Sequence, residues 1–238
     1  MVKRLRHFYF VGISLFFVCC SQSGSNTPAL EPQNFKILSL GDSYTFGQSV
    51  CETCGFPEQL KDSLASYYRE VDTFQVDVIA QTGWNTSQLL SGIASEEPSN
   101  DYDIVTLLIG VNNQFQGRPF SVYETDFPEL VNQAITFAKG DKDRVIIISI
   151  PDYAQTPFGM AFDDGNLSEE IDMYNDFAES VANDMQITYV YVTDISRTII
   201  DNPDLIASDG LHPSELAYSL YVERLIPAAL EVLGYEEN

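Results

Sequence analysis

Five short runs of apolar and β-branched residues recur along the chain, over 37–40, 73–80, 102–109, 144–150 and 187–192. Each has the length and composition of a buried strand. Between them the apolar positions change to a three- and four-residue spacing that predicts helices. Leu60, Leu64, Tyr67 and Tyr68 share one such face, and Thr86 caps a short helix that runs to Ile93. Residues 121–139 read as helical around Pro128, which should end or kink one helix and begin another. Further helices are expected over 167–185 and 216–233. Strands alternating with helices indicate a three-layer α/β/α sandwich around a five-stranded parallel sheet, with any site at the carboxyl ends of the strands.

The first twenty residues break this rhythm. Lys3, Arg4 and Arg6 precede an apolar run over 8–18 that is too short to cross a bilayer comfortably and reads as an export signal. It ends in Phe17-Val18-Cys19-Cys20-Ser21, similar to a bacterial lipoprotein processing box with Cys20 as the lipidated residue and Cys19 as the alternative. An ordinary secretory signal with an incidental cysteine pair is the competing reading. Residues 21–34, rich in Ser, Asn, Pro and Gly, are expected to form a flexible tether, with a single domain over 35–238. The expected location is the cell envelope, anchored by lipid and facing the periplasm or the exterior.

The chain carries 35 acidic and 12 basic residues, a net charge of −23. Without the leader 9 basic residues remain, and the charge becomes −26. Nucleic-acid phosphates would be repelled, so a nucleic-acid partner is excluded. The acids are scattered, as on a solvated surface.

The chemistry concentrates in Gly41-Asp42-Ser43-Tyr44-Thr45-Phe46-Gly47, a glycine-flanked turn that follows the first strand. Ser43 is the candidate nucleophile. A serine hydroxyl needs a base, and the chain has two histidines. His7 lies in the leader, which leaves His212 in Ser208-Asp209-Gly210-Leu211-His212-Pro213. Cys51-Glu52-Thr53-Cys54 could be a redox motif, half a zinc site or a local disulfide. Zinc would need two further ligands, and an exported protein favours the disulfide, here a staple on a loop. The long segment 154–166 carries Pro157, Phe158, Met160 and Phe162, as a substrate wall or lid would. Its Asp163-Asp164-Gly165-Asn166 has a calcium-loop flavour without the spacing of an EF-hand, and reads as a turn and cap.

Gly41-Asp42-Ser43 near the start and Asp209-x-x-His212 near the end resemble the SGNH (GDSL-type) hydrolase family. Two further blocks fall in the family's order: Gly83 in Ala80-Gln81-Thr82-Gly83-Trp84, and Asn112 in Gly110-Val111-Asn112-Asn113. The family pattern ends its third block with Asp where this chain has Asn113. The resemblance implies the flavodoxin-like fold of that family and a serine esterase with a Ser43, His212 and Asp209 triad. It also implies an oxyanion hole made by the Ser43 and Gly83 N–H groups and the Asn112 side chain. The three-residue spacing lets Asp209 reach one ring nitrogen of His212 in a turn. Asp42 reads as a structural hydrogen-bond acceptor. No metal or cofactor is implied. The expected substrates are short-chain or sugar-linked carboxylic esters, because no segment supplies the large exposed apolar surface of an interfacial lipase. A lipase, phospholipase or thioesterase of the same fold is the alternative among enzymes, and a non-catalytic carbohydrate-binding lipoprotein the alternative outside them.

Overall fold

The computed structural model describes residues 31–162 and 165–236. The leader with Cys19 and Cys20, and Asp163 and Asp164 of the long loop, lie outside the described residues. The chain runs β1 (Asn34–Gly41), α1 (Ser43–Phe46), α2 (Phe56–Ala65), β2 (Thr73–Ala80), α3 (Thr86–Glu96), β3 (Ile104–Leu108), α4 (Val111–Phe115) and α5 (Phe120–Phe137). It continues through β4 (Val145–Ile148), α6 (Leu167–Met185), β5 (Thr188–Val190), α7 (Thr193–Ser196) and α8 (Glu215–Val232). The five strands form one parallel sheet in the order β2-β1-β3-β4-β5.

Burial explains the strand composition. β3 and β4 are covered on both faces and are buried at every position, hence their unbroken apolar runs. The edge strand β2 keeps polar residues at exposed positions. The polar residues inside the sheet are paired, with Thr106 Oγ1 donating to Ser39 Oγ across the register of β1 and β3 at 2.9 Å. α2 packs on α8, while α3, α5 and α6 form a second group, giving the three layers. The order reverses between β1 and β3, so the loops leaving these strands diverge and open a crevice at their carboxyl ends.

Some elements differ from the sequence expectation. α5 is a single helix with Pro128 inside it. Tyr123, Phe127, Leu130 and Val131 on either side of Pro128 are all buried, while Glu124, whose carbonyl the proline leaves without its helical donor, is exposed. Burial of that face outweighs a break that water can satisfy. α2 ends at Ala65, so Tyr67 and Tyr68 lie beyond the helix and meet Tyr235 at ring-centroid distances of 5.6 and 5.5 Å. The cap of α3 is Asn85, which forms a capping box with Gln88, and Thr86 is the first helical residue.

Candidate active site

Each loop leaving β1, β2, β3 and β4 contributes to one cavity of about 190 Å³, and the turn before α8 completes it. Ser43 and Tyr44 come from the first loop, Thr82 and Gly83 from the second, Asn112 and Phe115 from the third. Phe158 follows β4, and His212 closes the ring. Residues up to 169 positions apart in the sequence thus share one space because parallel strands deliver their carboxyl ends to one edge.

Ser43 is the first residue of the short helix α1 rather than part of an open turn, and Asp42 is its cap, accepting the Tyr44 N–H at 3.0 Å. Gly41 is required by close approach. A Cβ there would lie 2.4 Å from the Leu108 carbonyl oxygen and 2.1 Å from Thr45 Oγ1. Asp42 is fully buried and its Oδ2 has no hydrogen-bond partner. Burial pushes its carboxyl from 3.8 up to about 7, against the Tyr44 N–H and the Asn112 amide, which lower it. That amide is committed through Nδ2 to the Trp84 carbonyl at 3.0 Å.

His212 is held by Asp209 as the spacing predicts. Its Nδ1 lies 2.6 Å from Asp209 Oδ2, and its backbone N–H and that of Leu211 both donate to Oδ1 at 3.0 Å. Ser49 Oγ, from the loop after α1, donates to the same Oδ2 at 2.6 Å. Burial opposes ionisation of Asp209, but Ser49, the imidazole and the two backbone N–H groups together hold its carboxyl well below the usual range. An ionised Asp209 accepts only, so the shared proton sits on Nδ1 and Nε2 keeps a lone pair. The turn is fixed by the Ala207 N–H to the His212 carbonyl at 2.8 Å and the Phe158 N–H to the Gly210 carbonyl at 3.1 Å. Ser43 and His212 line the cavity together with no direct hydrogen bond between their side chains among the described residues, as is common before substrate binds.

Gly83 takes a φ of +85°, a glycine conformation, and a Cβ there would meet nothing within 4 Å. The glycine therefore serves the turn. Two residues that the sequence reading passed over steady it: Gln116 Nε2 donates to the Gly83 carbonyl at 2.8 Å, and Asn85 Nδ2 donates to Gln116 Oε1 at 2.8 Å. Asn112 is bound to Trp84 through one amide hydrogen and has a second to offer. Asn113, the departure from the family pattern, is fully buried and ties α4 to α3. Its Oδ1 accepts the Thr86 N–H at 3.0 Å and its Nδ2 donates to Thr86 Oγ1 at 2.7 Å. Thr86 Oγ1 in turn donates to Asp126 at 3.0 Å, so an asparagine here feeds a hydroxyl whose own proton is already committed. Ser49 and Gln116 carried no legible signal, because their partners lie far along the chain, whereas Asn85 stands three residues before Gln88 at capping-box spacing.

Cys51 and Cys54 are joined in a disulfide in the loop that carries Ser49. Among the described residues no cluster of His, Cys, Asp and Glu could hold a metal. The cavity wall is largely apolar, and an aromatic series continues outward from it. Phe115 meets Phe158 in a tilted ring contact at 5.8 Å, and Phe158 meets Phe162 at 4.8 Å. Phe115, Met160 and Phe162 are exposed.

A model of the GDSL-like lipase/acylhydrolase family matches residues 39–220. No curated protein matches the chain. Among solved structures, an acetylxylan esterase from Geobacillus stearothermophilus superposes with a TM-score of 0.61 at 18% identity, over 86% of this chain and 96% of that one. The psychrotrophic esterase EstA from Pseudoalteromonas sp. gives 0.58 at 18%, over 84% and 98%. TesA gives 0.62 at 16%, over 83% and 99%. At these identities the likeness is one of fold.

Proposed function

Because the chain belongs to the GDSL-like lipase/acylhydrolase family, we propose that it hydrolyses short-chain or sugar-linked carboxylic esters through Ser43, His212 and Asp209. That it is an ester hydrolase follows from the family. The observation that supports the triad is the cavity itself, lined by both Ser43 and His212, with Asp209 bound to the far ring nitrogen of His212 at 2.6 Å.

In this reading His212 Nε2 takes the Ser43 proton as Oγ bonds to the ester carbonyl carbon. The carbonyl electrons move onto oxygen, where the Ser43 N–H, the Gly83 N–H and the Asn112 side-chain amide hold the oxyanion. Each donor contributes on the order of 3 kcal/mol of barrier lowering. Collapse breaks the bond to the leaving alcohol, which receives the proton from His212, and an acyl-Ser43 remains. Water, deprotonated by His212, then releases the acid and restores the serine. Asp209 keeps the proton on Nδ1 and stabilises the imidazolium.

A cavity of about 190 Å³ supports the short-acyl reading, since sites for larger ligands run to roughly 300–1,000 Å³. A second reading, a lipase or phospholipase, is favoured by the exposed Phe115 in the cavity wall and the exposed Phe162 packed on Phe158. Rates on p-nitrophenyl acetate, butyrate and palmitate decide between them. The short-acyl reading requires kcat/KM to fall steeply from butyrate to palmitate, and a palmitate preference would replace it. We further propose that the full-length protein is exported and held at a membrane by lipid on Cys20. Mass spectrometry of the membrane-processed N-terminus should find the lipid, and an unmodified terminus would leave an ordinary secretory signal.

A further inference from the structure

We propose that Ser49 is a positioning residue for the general-base pair, its hydroxyl fixing the Asp209 carboxylate that orients His212. The inference rests on the assignment of His212 as base. Ser49 lies 160 residues before Asp209, yet its Oγ donates to Asp209 Oδ2 at 2.6 Å, the oxygen that also receives His212 Nδ1. With both backbone N–H groups on Oδ1, the Ser49 hydroxyl is the contact that completes the carboxylate's fourfold hold.

The backbone argues that the hydroxyl is the reason for a serine at this position. Ser49 has a φ of +69°, in the region that favours glycine. A glycine would suit the turn better, but it has no hydroxyl to offer. The loop is also tied to both reacting ends of the cavity. The N–H groups of Gly47 and Gln48 donate to the Ser43 carbonyl at 3.0 and 3.1 Å, and Gln48 Oε1 accepts from Thr82 Oγ1, next to Gly83, at 2.6 Å. Beyond Ser49 the Cys51–Cys54 disulfide closes the loop. Ser49 therefore links the helix that bears the nucleophile to the turn that bears the base, two segments that no strand joins.

The test uses Ser49→Gly and Ser49→Ala in the full chain, in the parent and in an Asp209→Ala background, with p-nitrophenyl acetate as substrate. A charge-assisted hydrogen bond on an ionised acceptor predicts a loss in kcat of about 10- to 30-fold for either variant. KM should stay within about twofold, because the bond is made to the base and not to substrate. The Tm of Ser49→Gly should stay close to that of the parent, since relief of its backbone conformation offsets the lost hydrogen bond. In the Asp209→Ala background the same change should cost nothing further, because the acceptor is gone. Wild-type kcat in Ser49→Gly, or an equal loss without Asp209, overturns the inference. Near-normal turnover by His212→Ala would overturn the general-base assignment as well. An inactive His212→Ala beside a fully active Ser49→Gly would refute the role of Ser49 alone.

Discussion

The two sides of the cavity are built by opposite means. On one side, Ser43 stands at the end of a buried strand, and its neighbour Asp42 is sealed in the interior with one carboxyl oxygen unpaired. On the other side, His212 sits in a turn outside the sheet, and its neighbour Asp209 is partly exposed with every approach filled by a donor. Packing positions the first, and a network of backbone and side-chain hydrogen bonds positions the second. The two carboxyls record the difference: burial pushes Asp42 up to about 7, and hydrogen bonding holds Asp209 well below its ordinary range. Ser43, set by the core, and His212, set by a local network, are expected to respond differently to mutation and to pH.

The largest effect should come from removing either side's reacting group. Ser43→Ala and His212→Ala should each lower kcat by roughly 10³-fold or more while the protein stays folded. Asn112→Ala, which removes one oxyanion donor from the third loop, should cost about 10²-fold in kcat. Steady-state kinetics on p-nitrophenyl acetate with a circular-dichroism check of folding would measure the series. Near-normal rates in the first two would end the triad assignment, and a change confined to KM in the third would make Asn112 a substrate-binding residue.

The smaller effect lies in stability against pH, where the two carboxyls should pull in opposite directions. The folded pKa of Asp42 is raised, so the stability it contributes is fully present below pH 3.8 and is lost as the pH rises through about 7. For Asp209 the folded pKa is lowered, so its contribution is present above 3.8 and is lost as the pH falls below it. Thermal melts should therefore show Asp42→Asn flattening the decline in Tm between about pH 4 and 8, and Asp209→Asn flattening only the acid side. An Asp42→Asn curve parallel to wild type through neutral pH would break the contrast, because it would mean that the buried carboxyl binds its proton no more tightly than an exposed one.

The Ser43 side was legible in the sequence and much of the His212 side was not. An apolar strand, a glycine demanded by close approach and a serine are all local features, and so is a carboxylate three residues before a histidine. The sheet followed from the alternation of strand and helix patterns, since each buried strand must be apolar on both faces. Pro128 was misjudged because propensity counts the missing N–H and does not count the buried face that outweighs it. Gly83 and Asn112 needed the family's block order, for a turn glycine and a post-strand asparagine have many ordinary uses.

What the sequence determined by itself is therefore the layered fold, the family, and the identity of the serine and histidine that meet at the cavity and of the aspartate behind the histidine, because each is written in adjacent residues or in a fixed short spacing. The tertiary structure alone decided which neighbours hold them. Ser49 reaches Asp209 across 160 positions, Gln116 steadies Gly83 across 33, and Asn113 ties α4 to α3 through Thr86 across 27. It also decided that Asp42 loses its solvent and Asp209 gains donors. Hydrogen bonds between distant loops depend on where the strands deliver their ends, and no local pattern encodes the partner.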